Sequence, residues 1–276
     1  NYVAGKYAYG GAIYNAETIG NITGDFIGNY TSSSHDDDSA YGGAIYNADY
    51  GTIGNITGDF IGNHASSETG TASGGAIHNY GTIGNITGDF IDNYAKSEKG
   101  KAEGGAVMNL RSTIKEIKGN FTNNYALGGG RASGGAVNNN TNGIIDSITG
   151  DFEGNYAESN GGAAEARGGA LLSFGDITNL TANFSNNHAL TNGTFAIGGA
   201  VANMLSSSPQ HGITKFSGNF SNNFAQTTGT GDDAYAQGGA IYNAARMAID
   251  DIQSSTFSGN YVSGANEKTD GGAVWN

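Results

Sequence analysis

Thr18–Tyr30 reads Thr-Ile-Gly-Asn-Ile-Thr-Gly-Asp-Phe-Ile-Gly-Asn-Tyr, and nearly the same letters return at 52–64 and 82–94. Self-similarity at a period of roughly 30 residues is the mark of a chain built from stacked units, none of which can bury its apolar face alone. The stretch holds two of the three landmarks that define such a unit here.

Gly-Gly-Ala followed by an aliphatic residue begins at Gly10, Gly42, Gly74, Gly104, Gly134, Gly168, Gly198, Gly238 and Gly271. A pair of apolar residues three apart follows, from Ile19/Ile22 through Ile53/Ile56, Ile83/Ile86, Ile114/Ile117, Ile145/Ile148, Ile177/Leu180 and Ile213/Phe216 to Ile249/Ile252. Last comes Phe-x-x-Asn, with Phe26, Phe60, Phe90, Phe121, Phe152, Phe184, Phe220 and Phe257 answered by Asn29, Asn63, Asn93, Asn124, Asn155, Asn187, Asn223 and Asn260.

The composition agrees with an all-β coil. The 276 residues include 48 Gly, one Pro and no Cys, and no stretch keeps a 3.6-residue apolar period through several turns. A formal charge of −13 argues against a non-specific nucleic-acid binder or a polybasic membrane binder. The absence of Cys removes disulfides, thiolate metal sites and thiol nucleophiles. There is no 18-residue apolar run. The chain opens inside a repeat at Asn1-Tyr2-Val3-Ala4 and closes on the first landmark of a ninth unit, so residues 1–276 are expected to be one repeat domain cut from a longer protein.

The expected fold is a right-handed parallel β-helix of roughly eight turns, about 30 residues each, with three short strands per turn at Ala12–Asn15, around Asn21–Gly24 and at Asp25–Tyr30. Neighbouring turns about 4.8 Å apart would give a rod about 40 Å long. Ile19 and Ile22 have opposite parity in a strand, so Gly20-Asn21 is expected to supply a bend. Equivalent residues then stack: the Phe residues as an aromatic column, and the Asn residues as a corner ladder in which each amide donates to one neighbour and accepts from the other. The final turn has one residue too many between Ile252 and Phe257, which predicts a bulge.

Variation gathers between Phe-x-x-Asn and the next Gly-Gly-Ala, at 32–40, 66–73, 96–103, 127–133, 158–167, 190–197, 226–237 and 263–270. These segments read as polar loops of unequal length on one edge of a rigid scaffold, where recognition commonly sits. Asp36, Asp37, Asp38, Asp232 and Asp233 are the candidate contact residues within them. A further insertion, 205–212, surrounds Pro209.

Alternating Gly-Gly-Ala-[Ile/Leu/Val] and Phe-x-x-Asn, nine copies against eight along the entire chain, resembles the paired motifs of polymorphic outer-membrane proteins, the autotransporter adhesins of chlamydiae and other bacteria. The resemblance implies a right-handed β-helical passenger carried across the outer membrane and displayed at the cell surface or secreted, adhering to a host or bacterial surface protein or glycan. Contact with the membrane would then come through a translocator domain outside these residues.

Other chemistries fit the sequence less well. Asp25, Asp59 and Asp89 form an outward row of the kind a retaining glycosidase could use, but Asn120 interrupts it and the few basic residues read as scattered in loops; a solvated face is the plainer reading. No catalytic or cofactor-binding residue is assigned, and an enzyme is not expected. Calcium is a candidate at Asp36-Asp37-Asp38, Asp232-Asp233 or the Asp row, although neither an EF-hand loop nor a calcium β-roll nonapeptide is present; no metal ligand is assigned. His64, His78 and His188 stand at repeat positions that hold Tyr in other turns, whereas His35 and His211 do not. The sequons Asn21-Ile22-Thr23, Asn55-Ile56-Thr57 and Asn85-Ile86-Thr87 recur because the repeat does, and Lys118 breaks the Thr row. The alternative to an adhesin is a stalk, or a segment that associates end to end through unpaired strand edges.

Overall fold

Every residue is described by the structure, a computed structural model, except 35–37, 205–211, 245–246, 248 and 266–267 and, beyond the backbone, Asp250. From Phe60 to the next turn the chain forms five strands: Phe60–Ile61, His64–Ser67, Thr71–Ser73, Ile77–Asn79 and Thr82–Thr87. Their equivalents pair turn upon turn in parallel, Phe60 with Phe90, Ala65 with Ala95, Ala72 with Ala102, Ile77 with Val107 and Ile83 with Ile114. The result is a parallel β-solenoid of about eight turns, roughly 32 residues each, with five sheets of eight or nine strands and no helix among the described residues. The sheets are named below by their first or recurring residue: Phe, Tyr, Ala, Asn and Ile, in the order just given.

Five strands per turn replace the three expected, and two physical causes account for the difference. The first is a left-handed residue just before each corner Asn, at Gly28, Gly62, Asp92, Asn123, Gly154, Asn186, Asn222 and Gly259, with φ between 54° and 64°. That backbone ends one strand and starts the next, and only Gly, Asn and Asp occupy the position because they tolerate it best. The second is the variable connection, which is mostly strand rather than loop. Its Ala40, Ala72, Ala102, Ala132, Ala166, Ala196 and Ala236 are fully buried against Ala65, Ala95, Ala126, Ala157, Ala189 and Ala225 of the Tyr sheet. Alanine is large enough to exclude water there and small enough to let two sheets approach closely.

The main core lies on the other side of the Gly-Gly-Ala bend, where the Phe column, the isoleucine pairs and the aliphatic residues after Gly-Gly-Ala meet. Each motif glycine has its own reason. The first takes φ of 57–66° in all nine copies, and a Cβ on Gly42 would lie 2.2 Å from the Ile45 carbonyl oxygen. The second lies against the neighbouring turn: a Cβ on Gly43 would come 2.1 Å from Gly75 O.

Ile53 and Ile56 are both buried within one six-residue strand, so the chain does bend between them. Glycine is not what bends it. Lys115-Glu116 and Asp146-Ser147 occupy the same place, and Ile114/Ile117 and Ile145/Ile148 remain fully buried. Burying both apolar side chains outweighs the small cost of a local kink. In the last turn the extra residue is taken up after Gln253, where Ser254 adopts φ of 49°.

Candidate contact surface

The corner Asn side chains are fully used, and from Asn29 to Asn223 they are buried. Asn63 Nδ2 donates to Asn93 Oδ1 at 3.0 Å and to the Phe26 carbonyl at 2.8 Å, and the Asn63 backbone amide donates to the same Asn93 oxygen at 2.9 Å. The pattern repeats through Asn124, Asn155, Asn187, Asn223 and Asn260. A second amide ladder, not singled out by the Phe-x-x-Asn motif, runs through Asn15, Asn47, Asn79, Asn109 and Asn139 to Ser173 Oγ. Beside these run two aromatic columns. The Phe rings from Phe26 to Phe257 stack at 4.5–5.1 Å. On the outside, Tyr2, Tyr30, His64, Tyr94, Tyr125, Tyr156, His188, Phe224 and Tyr261 stack at 4.5–5.1 Å with planes within 12°.

The outward Asp row has a structural duty that a plain solvated face lacks. Asp25, Asp59 and Asp89 each accept the backbone amide of the equivalent residue one turn on, at 2.8–2.9 Å, and Asn120 and Asn183 substitute by offering an amide oxygen to Asp151 and Asn219. A carboxylate so engaged ties turn to turn. Among the described residues no group of three His, Asp or Glu side chains is placed to hold a metal ion. Asp36 and Asp37 lie outside the described residues, as do His35, Pro209 and His211, while Asp38 is buried. Asp232 and Asp233 sit in an exposed turn.

What remains of the variable connection is a short turn between the Tyr and Ala sheets, held from inside by a column of hydroxyls. Ser67 Oγ accepts the Gly70 amide and donates to Asp38 O; Ser97 does the same with Gly100 and Gly70 O, and Thr227 with Gly229 and Gly193 O. These turns lengthen at 160–164 and 228–234, and there the edge opens into two adjoining hollows. One, of about 270 Å³, is floored by Gly193 and Gly229 and rimmed by Asp232 and Asp233. The other, of about 240 Å³, lies between Leu127, Glu158 and Leu190, and Asn192 borders both. Glu158 Oε1 lies 3.0 Å from Nε2 of His188.

The opposite flank holds a feature that the landmarks did not reveal. Outward residues of the Ala and Asn sheets meet across the Gly-Gly-Ala bend in a crease that runs along the rod, and they are buried although they face away from the main core. At one end Tyr41, Tyr46 and Tyr80 surround His78, which is 1% exposed, and Tyr9 packs on Tyr46 from the turn before. Burial lowers the His78 pKa to about 3, a backbone contact to Ser73 offsetting part of the effect. Burial also pushes Tyr46 and Tyr80 above the ordinary tyrosine range. Toward the other end Leu172, Ile197 and Ala202 form a small cluster covered by Phe174, Phe195, Tyr235 and Tyr242. Between them lie two ion pairs, Arg131–Glu103 at 2.8 Å and Arg167–Glu165 at 2.6 Å, with Arg167 also 5.0 Å from the centre of the Phe195 ring. The legible signal was the run Tyr46, His78, Met108, Asn138, Leu172 at a position whose parity points outward.

The basic residues are not scattered. Seven of the twelve, Lys96, Lys99, Lys101, Arg111, Lys115, Lys118 and Arg131, fall between 96 and 131 with only Glu98, Glu103 and Glu116 for counter-charge, a net +4 in a chain of net −13. Lys101, Lys115, Lys118 and Arg131 lie on strands, so the coil gathers them into a belt around one region of the rod.

Stacked tandem turns held by buried amide ladders define a protein of the β-solenoid class, a fold that suggests a structural or surface protein. Residues 214–244 match the family model of the Chlamydia polymorphic membrane protein repeat. That segment contains the Phe220/Asn223 and Gly238 copies of the two landmarks, and its strands are in register with those of the turns before and after it, so the repeat structure as a whole is consistent with a passenger of that kind. No curated protein and no solved structure matches the chain.

Proposed function

We propose that this chain is a non-enzymatic segment of a surface-displayed or secreted bacterial adhesin, binding host or neighbouring-cell surfaces through the lengthened turns at 160–164 and 228–234 and the short turn at 192–194 between them. One observation carries the reading: the two adjoining hollows occur where the turns between the Tyr and Ala sheets lengthen, and the scaffold beneath them is held rigid by hydroxyl and amide ladders. A pre-organised rim loses little entropy on binding. The family match supports a place at the cell surface, and the passenger role extends it.

The test replaces 160–164 and 228–234 by the short turn of residues 68–70 and compares adhesion of the purified chain to cultured cells. Adhesion is expected to fall at least tenfold with an unchanged melting temperature. Undiminished adhesion by the shortened chain would remove these turns as the contact surface. If neither chain adheres, the unbroken ladders favour a stalk that holds another part of the protein away from the cell.

A further inference from the structure

Between the Asn and Ile sheets the chain turns through four residues at 48–51, two at 80–81 and three at 110–112. The second amide ladder holds the entrances of these turns in line, Asn47 bonded to Asn79 at 2.8 Å and Asn79 to Asn109 at 2.9 Å, so the short middle turn is recessed between longer neighbours. The result is a notch of about 250 Å³ open to solvent, with Gly81 at its floor, Asp49 and Tyr50 on one wall, Arg111 and Thr113 on the other, and Tyr80 at its border. The walls stand two turns apart, about 10 Å at the usual spacing of paired strands. Both are built against the preference of the backbone. Tyr50 has φ of 67° and Arg111 φ of 54°, a left-handed conformation that glycine adopts freely and bulky residues rarely do. Packing does not account for the choice: Tyr50 is 89% exposed, and Arg111 is exposed as well.

The charged groups of the notch are free. Asp49 is exposed, and neither it nor Arg111 forms an ion pair among the described residues. Burial is the main cause that raises the Tyr80 pKa, and the Arg111 guanidinium opposes the rise while the Asp49 carboxylate adds to it, so both charges are felt at that phenol. The turns themselves are fixed before any ligand arrives: the Gly51 amide donates to the Ala48 carbonyl at 2.8 Å and the Arg111 amide to the Thr141 carbonyl at 3.2 Å. One carboxylate and one guanidinium leave the lining with no net charge, so an ion of either sign meets a repulsive neighbour. A hydroxyl both donates and accepts, and two hydroxyls on one ligand satisfy both charged groups together. The rings of Tyr50 and Tyr80 supply apolar faces. The volume falls below that of pockets enclosing drug-sized molecules, which limits the occupant to about one ring. A neutral sugar combines these properties, with hydroxyls around its rim and C–H groups on its faces.

We propose that the notch formed by Asp49, Tyr50, Tyr80 and Arg111 binds a single neutral hexose, the exposed end or branch of a surface glycan. The inference rests on the adhesive reading only in taking a cell surface as the source of the ligand. Its site is separate, because the Ala and Asn sheets lie between this notch and the lengthened turns.

The experiment immobilises the full chain and measures retention of serum albumin bearing many copies of galactose, glucose or mannose, with unmodified albumin and albumin bearing sialic acid as comparison probes. Retention of at least one hexose conjugate and not of unmodified albumin is expected, little changed by added salt. Tyr50→Gly and Arg111→Gly should each weaken it about tenfold or more while melting no lower than wild type, because glycine suits the left-handed backbone and the deleted side chains are exposed. A wild-type chain that retains no hexose conjugate, or variants that retain it as wild type does, overturns the site. Retention of the sialic acid conjugate alone also overturns it, making the notch an anion site. Variants that lose binding and melt lower overturn it too, since their side chains would then be structural. A chain that adheres to cells but retains no hexose overturns the notch and leaves the adhesive reading standing; the reverse result overturns the adhesive reading alone.

Discussion

A single buried corner amide shows how the repeat chose its residue. Asn124 Nδ2 donates to Asn155 Oδ1 and to Phe90 O, and its own oxygen receives the side chain and backbone of Asn93. Only a short side chain carrying both donors and an acceptor can do this, which is why Asn holds the corner in every turn while the residue before it alternates among Gly, Asn and Asp. His78 is the contrasting case, a titratable ring placed where Tyr46 stands one turn earlier. Its pKa is depressed from 6.5 to about 3, so the folded state keeps it neutral and the contribution is complete above about pH 6.5 and lost as pH falls toward 3. Burial lowers the His64 pKa as well, with the same sign. Between pH 7 and pH 5 the chain is expected to lose about 2 kcal/mol through His78, and His78→Tyr should remove that part of the loss. Urea unfolding at the two pH values checks it, and an identical pH dependence in the variant would show that the ring is solvated.

At the scale of elements, the Phe column is the spine of the main core. Phe121 is fully buried, its ring 4.7 Å from Phe90 and 4.5 Å from Phe152. Phe121→Ala is expected to cost roughly 3–5 kcal/mol, since rigid neighbouring turns cannot collapse into the space. A thermal melt matching wild type would refute the stacked-column account. The strand count illustrates what a motif can hide. The Phe and Asn positions are legible because they recur letter for letter. The Ala sheet is not, because Ala40, Ala72 and Ala102 sit within polar surroundings of changing length, and only their burial against the Tyr sheet reveals a strand. Gly20-Asn21 offers a local reason for the bend between paired isoleucines, yet turns without that dipeptide bend as well; packing, rather than local preference, sets it.

The whole molecule behaves as a one-dimensional stack, each turn touching its two neighbours. Deleting 60–89 joins Asp59 to Phe90 and restores the natural Asp-Phe junction with every ladder in phase. The shortened chain is expected to fold with a slightly lower melting temperature, whereas deleting 60–74 should leave it unfolded, because half a turn moves every inward residue out of register. Circular dichroism melts of the two deletions distinguish these outcomes, and equal stability would contradict the stacked-turn energetics. Period, strand direction, the inward Phe and the corner Asn were determined by the sequence itself, because a repeat forces equivalent residues onto one another at each turn and only a parallel coil makes that stacking favourable. Tertiary structure alone decided the left-handed residue that divides each expected long strand, the alanine-lined second core, and the crease that collects Arg131, Asn138 and Arg167. Those three depend on which sheets approach across a bend, a distance that side-chain size and burial fix only once the turns are stacked.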